Sequence, residues 1–229
     1  MQKHIFFDLD STLAQIEGLD HLAEGRGVLA NLEEITRQAM NGELPMREAL
    51  IAKIEAIRPN RTDLIRLAQI YLGNLTMGAE ATLQALAAGG YTIWLITGNF
   101  HPAAGIVAKH LGIHKDRVLA NTLQFDQSGA YQAFDHEQPL ANNGGKALLI
   151  RRHTGKDDLV FMIGDGATDL ETQGTVDLFI GFGGVVRRDR VAKNAEVFVE
   201  DANLQAVLPY ILNYQPRKSI KIRYNKEVL

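Results

Sequence analysis

From Met77 onward the chain switches repeatedly between two periods. "AEATLQALAAGG" is followed by "YTIWLIT", "PAAGIVAKHLGI" by "RVLAN", and "GGKALLIRRHTG" by "LVFMIGD", with "VDLFIGF" and "AEVFVE" after them. The first member of each pair has apolar residues three and four apart, as on one face of a helix; the second is a nearly unbroken apolar run of strand length. Strands apolar on both sides must be covered on both faces. Intervening helices supply that cover, and with it the long crossover that parallel pairing requires. The pattern predicts an α/β fold built on a parallel sheet flanked by helices, with the apolar run near the start as one more strand. Residues 118–134, "VLANTLQFDQSGAYQAF", alternate around Gln127-Ser128-Gly129 and predict a small hairpin.

Residues 15–75 have a different character, with helical periodicity throughout. Asn41-Gly42 closes one helix, Pro45 opens the next, Pro59 ends it, and another begins near Thr62. The expectation is an α/β core of residues 1–14 and 76–229, with a small helical-bundle cap, 15–75, inserted after the first strand. Loops at the carboxyl ends of parallel strands are where such sheets bind ligands, so the insertion is positioned as a lid. The tail "PRKSIKIRYNKEVL" carries five basic residues, and no function is assigned to it.

Composition removes several classes of function. With 24 basic and 27 acidic residues the chain has no overall attraction for nucleic acid or anionic membrane, so no partner of either kind is expected. The absence of cysteine excludes disulfides, zinc–thiolate sites and thiol nucleophiles. "MQKHIFFDLD" reaches two acids before a signal-like apolar core forms, and no run approaches the ~18 apolar residues of a membrane span. A cytoplasmic location is expected.

Chemistry collects at the strand ends. In "HIFFDLDSTL", Ile5 to Leu9 reads as a buried strand interrupted by Asp8, and the strand period sends Asp8 and Asp10 to one side of the chain. Thr97-Gly98 follows "YTIWLI", Lys146 begins a helix, and Asp165 and Asp169 lie in "IGDGATD". In a parallel sheet these ends share one edge. Asp8, Asp10 and Asp165 offer hard oxygen ligands without His or Cys, a set that suits Mg²⁺. Thr97 and the Gly98 amide offer neutral donors to an oxyanion, and Lys146 adds a positive point charge.

The combination points to phosphoryl chemistry, and a magnitude shows why cations are needed. A carboxylate attacking a phosphate dianion meets two repulsions of ~4 kcal/mol each at 4 Å and an effective dielectric of 20. Left alone, they cost about five to six decades in rate. Mg²⁺ and Lys146 offset them, while Asp10 can protonate the leaving alkoxide and then deprotonate water. Two rival phosphate motifs fail: "NNGGKALLI" lacks the P-loop's earlier glycine and its Ser or Thr, and "GFGGVV" has Val186 at the last glycine of a dinucleotide fingerprint.

"DLDST", "LITG", "GGK" and "GDGATD" resemble, in order and spacing, the four motifs of the haloacid dehalogenase superfamily of aspartate-nucleophile phosphotransferases. From about residue 5 to about 212 the chain is similar to that superfamily's phosphoserine phosphatase branch, including "EGLDHLAE", "ITRQAMNG" and "FIGFGG". The resemblance implies a Rossmann-like core with a helical cap. It implies Asp8 as nucleophile, Asp10 as general acid and base, and Mg²⁺ held by Asp8, the Asp10 carbonyl and Asp165, with Asp169 in support. It further implies phosphoryl binding by Thr97, Gly98 and Lys146, a pocket lined by Thr168 and Met40, and Glu17 facing the substrate ammonium.

Departures fall in the pocket. Lys53 in "ALIAKIEAI" stands where the family has an arginine that grips the substrate carboxylate, keeping the charge but losing the bidentate fork. Asn41 and Asn99 stand where it favours glycine. The expected activity is Mg²⁺-dependent hydrolysis of a small phosphorylated metabolite, O-phospho-L-serine first, with a role in serine biosynthesis. The alternatives are a related phosphometabolite, phosphoryl transfer to an alcohol such as homoserine, or a phosphate-binding protein without turnover.

Overall fold

The computed structural model describes residues 1–215, except the side chains of Asn31 and Met40; the basic tail lies outside the described residues. The chain enters through β1 (Lys3–Phe7) and then forms five helices: α1 (Gly18–Gly25), α2 (Glu33–Asn41), α3 (Met46–Ile57), α4 (Arg61–Gly73) and α5 (Ala79–Ala88). Strands and helices then alternate: β2 (Thr92–His101), α6 (Ala103–His110), the pair β3 (Val118–Phe125) and β4 (Tyr131–Phe134), α7 (Gly145–His153), β5 (Leu159–Gly164) and α8 (Ala167–Leu170). The final elements are β6 (Leu178–Phe182), α9 (Asp189–Asn194), β7 (Val197–Val199) and α10 (Leu208–Leu212).

The seven strands form one sheet in the order β4-β3-β2-β1-β5-β6-β7, parallel except for the β3–β4 hairpin. Period two divides each strand between two cores. Ile5, Phe7, Phe161, Ile163 and Ile180 face one way, with Leu83 and Leu86 of α5 and Val107 of α6. Phe6, Trp94, Val160, Met162 and Phe179 face the other, with Ile150 of α7, Leu170 of α8 and Val191 of α9. Phe6 pairs in register with Trp94 on one side and Met162 on the other, and the Phe6 and Trp94 rings stack at 5.3 Å. Burial of each such side chain contributes about 1.5–3 kcal/mol. This explains why the strands are apolar on both faces.

Helices α1 to α4 leave the sheet edge through two adjacent connections: Gln15 N–H donates to Asn74 O at 2.8 Å, and Thr76 N–H donates to Leu13 O at 2.9 Å. Leu64, Leu67 and Tyr71 of α4 join the core of the first sheet face. The boundaries follow local chemistry: Gly42 is left-handed (φ 73°) after α2, Pro45 precedes α3, and Asn60 and Asp63 make a reciprocal cap at the start of α4.

Two strand boundaries differ from the sequence expectation. β1 ends at Phe7, so Asp8 follows the strand and does not interrupt it. The Asp8 carboxylate accepts from Leu9 N–H at 2.8 Å, and Ser11 turns left-handed (φ 51°). Leu9–Leu13 is therefore a tight turn in which the strand period no longer relates Asp8 to Asp10. β2 does not stop at Thr97: its register with β3 shifts between Ile96 and Phe100 and then resumes. Thr97, Gly98 and Asn99 occupy that irregularity, which re-aims them as bulges do. Among the described residues no helix is long and apolar enough to cross a membrane.

Candidate active site

The carboxyl ends of β1, β2 and β5, at the centre of the sheet, bring the predicted residues into one cleft. Asp8, Asp10, Glu17, Lys53, Thr97, Gly98, Asn99, Lys146 and Thr168 all line it, and the void, counting its open mouth, is about 530 Å³. The floor is polar and the roof apolar, with Leu19, Ala39, Met46, Ala49 and Leu50 from the inserted helices. Apolar walls around a few convergent polar groups are the make-up of a small-molecule site. The Met40 side chain lies outside the described residues, as does any contact of the Asn31 side chain.

Lys146 is the centre of the floor. Its Nζ lies 2.9 Å from Asp8 Oδ2 and 2.5 Å from Asp169 Oδ1, and the side chain is 4% exposed. "GGK" is required sterically: a Cβ on Gly145 would sit 1.8 Å from Pro139 O, so the helix start can approach this loop only as glycine. Burial disfavours the charged lysine, but Asp169 and Asp8 outweigh that and raise its pKa.

Asp165 follows β5 and is buried; Oδ1 accepts from Thr12 Oγ1 at 3.3 Å and Oδ2 from Arg188 Nε at 2.7 Å. Asp169, in α8, accepts the Gly166 N–H with Oδ2 at 3.0 Å, which leaves Oδ1 for Lys146. Oxygens of Asp8, Asp165 and Asp169 lie within 4.8 Å of one another. Desolvation dominates their proton affinity. It pushes Asp8 up to about 6 against the pull of Lys146, Asp165 up to about 6 against Arg188, and Asp169 up to about 7, the last with help from the Asp8 charge.

The Asp10 carboxylate takes no part in that trio. It turns toward the inserted helices, where Oδ1 accepts from Gly18 N–H at 2.6 Å and Tyr71 O–H at 2.5 Å. Asn99 Nδ2 lies 3.3 Å from its Oδ2. Thr97 Oγ1 accepts the Asn99 N–H at 3.0 Å, and Gly98 O accepts from Asn121 Nδ2 at 2.8 Å.

Glu17 Oε1 accepts from Ser11 Oγ and from Arg188 Nη2, both at 2.8 Å. Burial, followed by the like charges of Asp10 and Asp165, pushes its pKa up to about 8, against Arg188 and Lys53. Lys53 is 6% exposed, and its Nζ lies 2.9 Å from Asp20 Oδ1, which also accepts from Thr36 Oγ1 at 2.6 Å. Its charge is thus already partnered by an acid of the same helical segment.

Arg188 and Tyr71, which bond directly to the predicted acids, were not singled out by sequence reasoning. Arg188 pairs with Glu17 across 171 positions, and Tyr71 reaches Asp10 across 61, separations without any sequence period. The only available signal for Arg188 was an arginine shortly after a strand end at the same sheet edge.

The charge balance tests whether the site accommodates a metal cation. Asp8, Glu17, Asp165 and Asp169 pair with Lys146 and Arg188, and Asp10 lines the same cleft without a cation of its own, five potential anions against two cations, with Lys53 and Asp20 pairing separately. Four of the five acids resist ionisation as they stand. A hard divalent cation would supply the missing charge, and the all-oxygen donor set of Asp8, Asp165 and Asp169 fits one.

Comparison with known proteins agrees with this geometry. A family profile described as haloacid dehalogenase-like hydrolase matches residues 5–172. A mouse (Mus musculus) protein named phosphoserine phosphatase is 40% identical over 199 residues, covering 86% of this chain and 88% of that protein. A solved structure titled as a phospho-aspartyl intermediate analogue of phosphoserine phosphatase superposes with a TM-score of 0.79 at 25% identity, covering 91% of this chain and 98% of that one. A phosphoserine phosphohydrolase-like protein from Francisella tularensis shares the fold, with a TM-score of 0.81 at 24% identity and coverage of 90% and 99%. The four motifs, the sheet order and these likenesses agree: the chain belongs to the haloacid dehalogenase-like hydrolase family.

Proposed function

We propose that this hydrolase is a cytoplasmic, Mg²⁺-dependent phosphomonoester phosphatase whose substrate is O-phospho-L-serine, and that residues 15–75 act as its cap. The observation that carries the reading is Lys146 Nζ at 2.9 Å from Asp8 within a cleft of surplus carboxylates. In this reading Asp8 attacks phosphorus, the bond to the serine oxygen breaks, and that oxygen takes a proton from Asp10. Water then attacks the aspartyl-phosphate, passing its proton to Asp10 and releasing phosphate from Asp8.

Lys146 holds Asp8 in place and neutralises one phosphoryl oxygen; Thr97 and the Gly98 backbone offer donors to the others. Asp8, Asp165 and the Asp10 carbonyl are the proposed Mg²⁺ ligands, with Asp169 held behind them by Lys146 and Gly166 N–H. When bound, the ion supplies positive charge to the phosphoryl oxygens. A substrate ammonium gives Glu17 a further cation, and a substrate carboxylate gives Lys53 a further anion; Thr168 lines the same pocket. Support for the substrate class comes from the mouse relative and from the small polar floor beneath an apolar roof.

A panel of phosphometabolites tests the reading, with phosphate release measured for the wild type, Asp8→Asn and Lys53→Arg. The expected result is Mg²⁺-dependent release from phosphoserine, none from the Asn variant, and a lower KM with arginine. Turnover without Mg²⁺, or equal turnover by Asp8→Asn, overturns the mechanism. A better substrate lacking an α-carboxylate overturns the substrate, and a phosphorylated alcohol appearing in place of phosphate identifies a transferase.

A further inference from the structure

The two oxygens of Asp10 are held unequally. Oδ1 accepts two short bonds, from Tyr71 O–H at 2.5 Å and Gly18 N–H at 2.6 Å, which use both its lone pairs. Oδ2 has only the Asn99 amide, at 3.3 Å, a donor it shares with Oδ1 at 3.5 Å. An oxygen already accepting two donors cannot also carry a proton, so the mobile proton of this carboxyl group belongs on Oδ2.

Tyr71 and Asn99 are themselves locked. Asn99 Oδ1 accepts the Phe100 N–H at 2.8 Å, so the amide cannot flip and its Nδ2 must face the acid. That Nδ2 also lies 2.6 Å from the Tyr71 oxygen, which accepts from it while donating to Asp10. Tyr71 is fully buried in α4. Its hydroxyl has one acceptor, Asp10 Oδ1, and one donor, Asn99 Nδ2, which fixes the direction of both bonds. The fit is close on the third side as well, since a Cβ on Gly18 would lie 2.0 Å from the Tyr71 oxygen and 2.8 Å from Asn99 Nδ2. Tyr71 comes from the inserted helices and Asn99 from the irregularity in β2, so the hold on Asp10 is assembled only when the two segments meet.

We propose that Tyr71 and Asn99 are positioning residues that orient the Asp10 carboxyl group so that Oδ2 delivers the proton to the departing oxygen of the substrate. The inference rests on the phosphatase reading above. In the step concerned, the Asp8 oxygen forms the bond to phosphorus as the bond from phosphorus to the substrate oxygen breaks. The electron pair of the broken bond takes the Oδ2 proton, giving an alcohol, the aspartyl-phosphate and an ionised Asp10.

Leaving-group dependence separates positioning from mere packing. Phosphoserine releases an alkoxide and needs the proton; acetyl phosphate releases acetate and does not. The value of kcat/KM reports formation of the aspartyl-phosphate for both. In Tyr71→Phe the ratio of kcat/KM for phosphoserine to that for acetyl phosphate is expected to fall about tenfold or more, part of the 10²–10⁴-fold that a positioned acid contributes. Asn99→Gly, which removes the amide while leaving the Tyr71 hydroxyl in place on Asp10, is expected to lower the same ratio.

An equal loss on both substrates, or a ratio unchanged in both variants, overturns the positioning role while leaving the phosphatase reading intact. If Tyr71→Phe does not fold, Asn99→Gly decides alone. A wild type that releases no phosphate from phosphoserine overturns the phosphatase reading itself, and this inference with it.

Discussion

Replacing Lys146 with methionine tests the electrostatics of the cleft floor through stability, independently of any substrate. The change keeps the length and apolar stem of the side chain while removing the cation 2.9 Å from Asp8 and 2.5 Å from Asp169. Breaking a buried pair in this way costs about 3–5 kcal/mol where the partners are ionised.

The cost must depend on pH. Burial raises the Asp8 carboxyl from 3.8 to about 6 and Asp169 from 3.8 to about 7. A folded state that holds these protons more tightly than the unfolded chain has the corresponding stability in full below pH ~4 and loses it as pH rises through 6 to 7. For Asp8 alone the difference corresponds to about 3 kcal/mol. At pH 8, then, Lys146→Met leaves two buried carboxylates charged and unpaired. At pH 5 both carry protons and lose little.

The assay is urea unfolding in the presence of a chelator, followed by the fluorescence of Trp94, the chain's single tryptophan. The expected result is a midpoint lowered by more than about 1 M at pH 8 and by a small fraction of that at pH 5. A deficit that is equal at the two pH values, or larger at pH 5, refutes the reasoning.

Two further outcomes follow from the same geometry. Gly18→Ala places a methyl group 2.0 Å from the Tyr71 oxygen; it is expected to cost about 1–3 kcal/mol in chemical unfolding and to lower kcat for phosphoserine. Mg²⁺ added to the chelator-treated protein is expected to raise the thermal unfolding midpoint, by more at pH 8 than at pH 5. The reason is that Asp8 and Asp165, both raised to about 6, must lose their protons before they can bind it. Differential scanning fluorimetry at the two pH values checks this.

The parts of the fold that could be read in advance were those with a local cause. Ile5 to Phe7 and Leu159 to Ile163 are apolar on both faces because helices cover both, and Gly42 and Pro45 mark helix ends through their own backbone chemistry. Asp8 and Asp165 were legible because each is an acid directly after an apolar strand, and Lys146 because it follows Gly144-Gly145 at a helix start. What escaped depends on pairs distant in sequence. Arg188 is defined as a site residue by Glu17 and Asp165, and Tyr71 by Asp10, and only the folded chain brings these together. The continuation of β2 beyond Thr97 escaped because Gly98 and Asn99 look like a turn, whereas the buried Phe100 draws the strand back into register with Asn121. The partner of Lys53 is of the same kind: its charge is visible in the sequence, and Asp20 is not.

The central claim is that Asp8 carries the phosphoryl group, and trapping that species is its most direct test. The enzyme is mixed with phosphoserine and Mg²⁺, quenched in acid during turnover, reduced with borohydride and mapped by mass spectrometry. The account predicts that the peptide containing Asp8 acquires the reduction product of an acyl phosphate, and that Asp8→Asn yields neither this product nor phosphate. Turnover with Asp8 unmodified, or with the label on another residue, contradicts it.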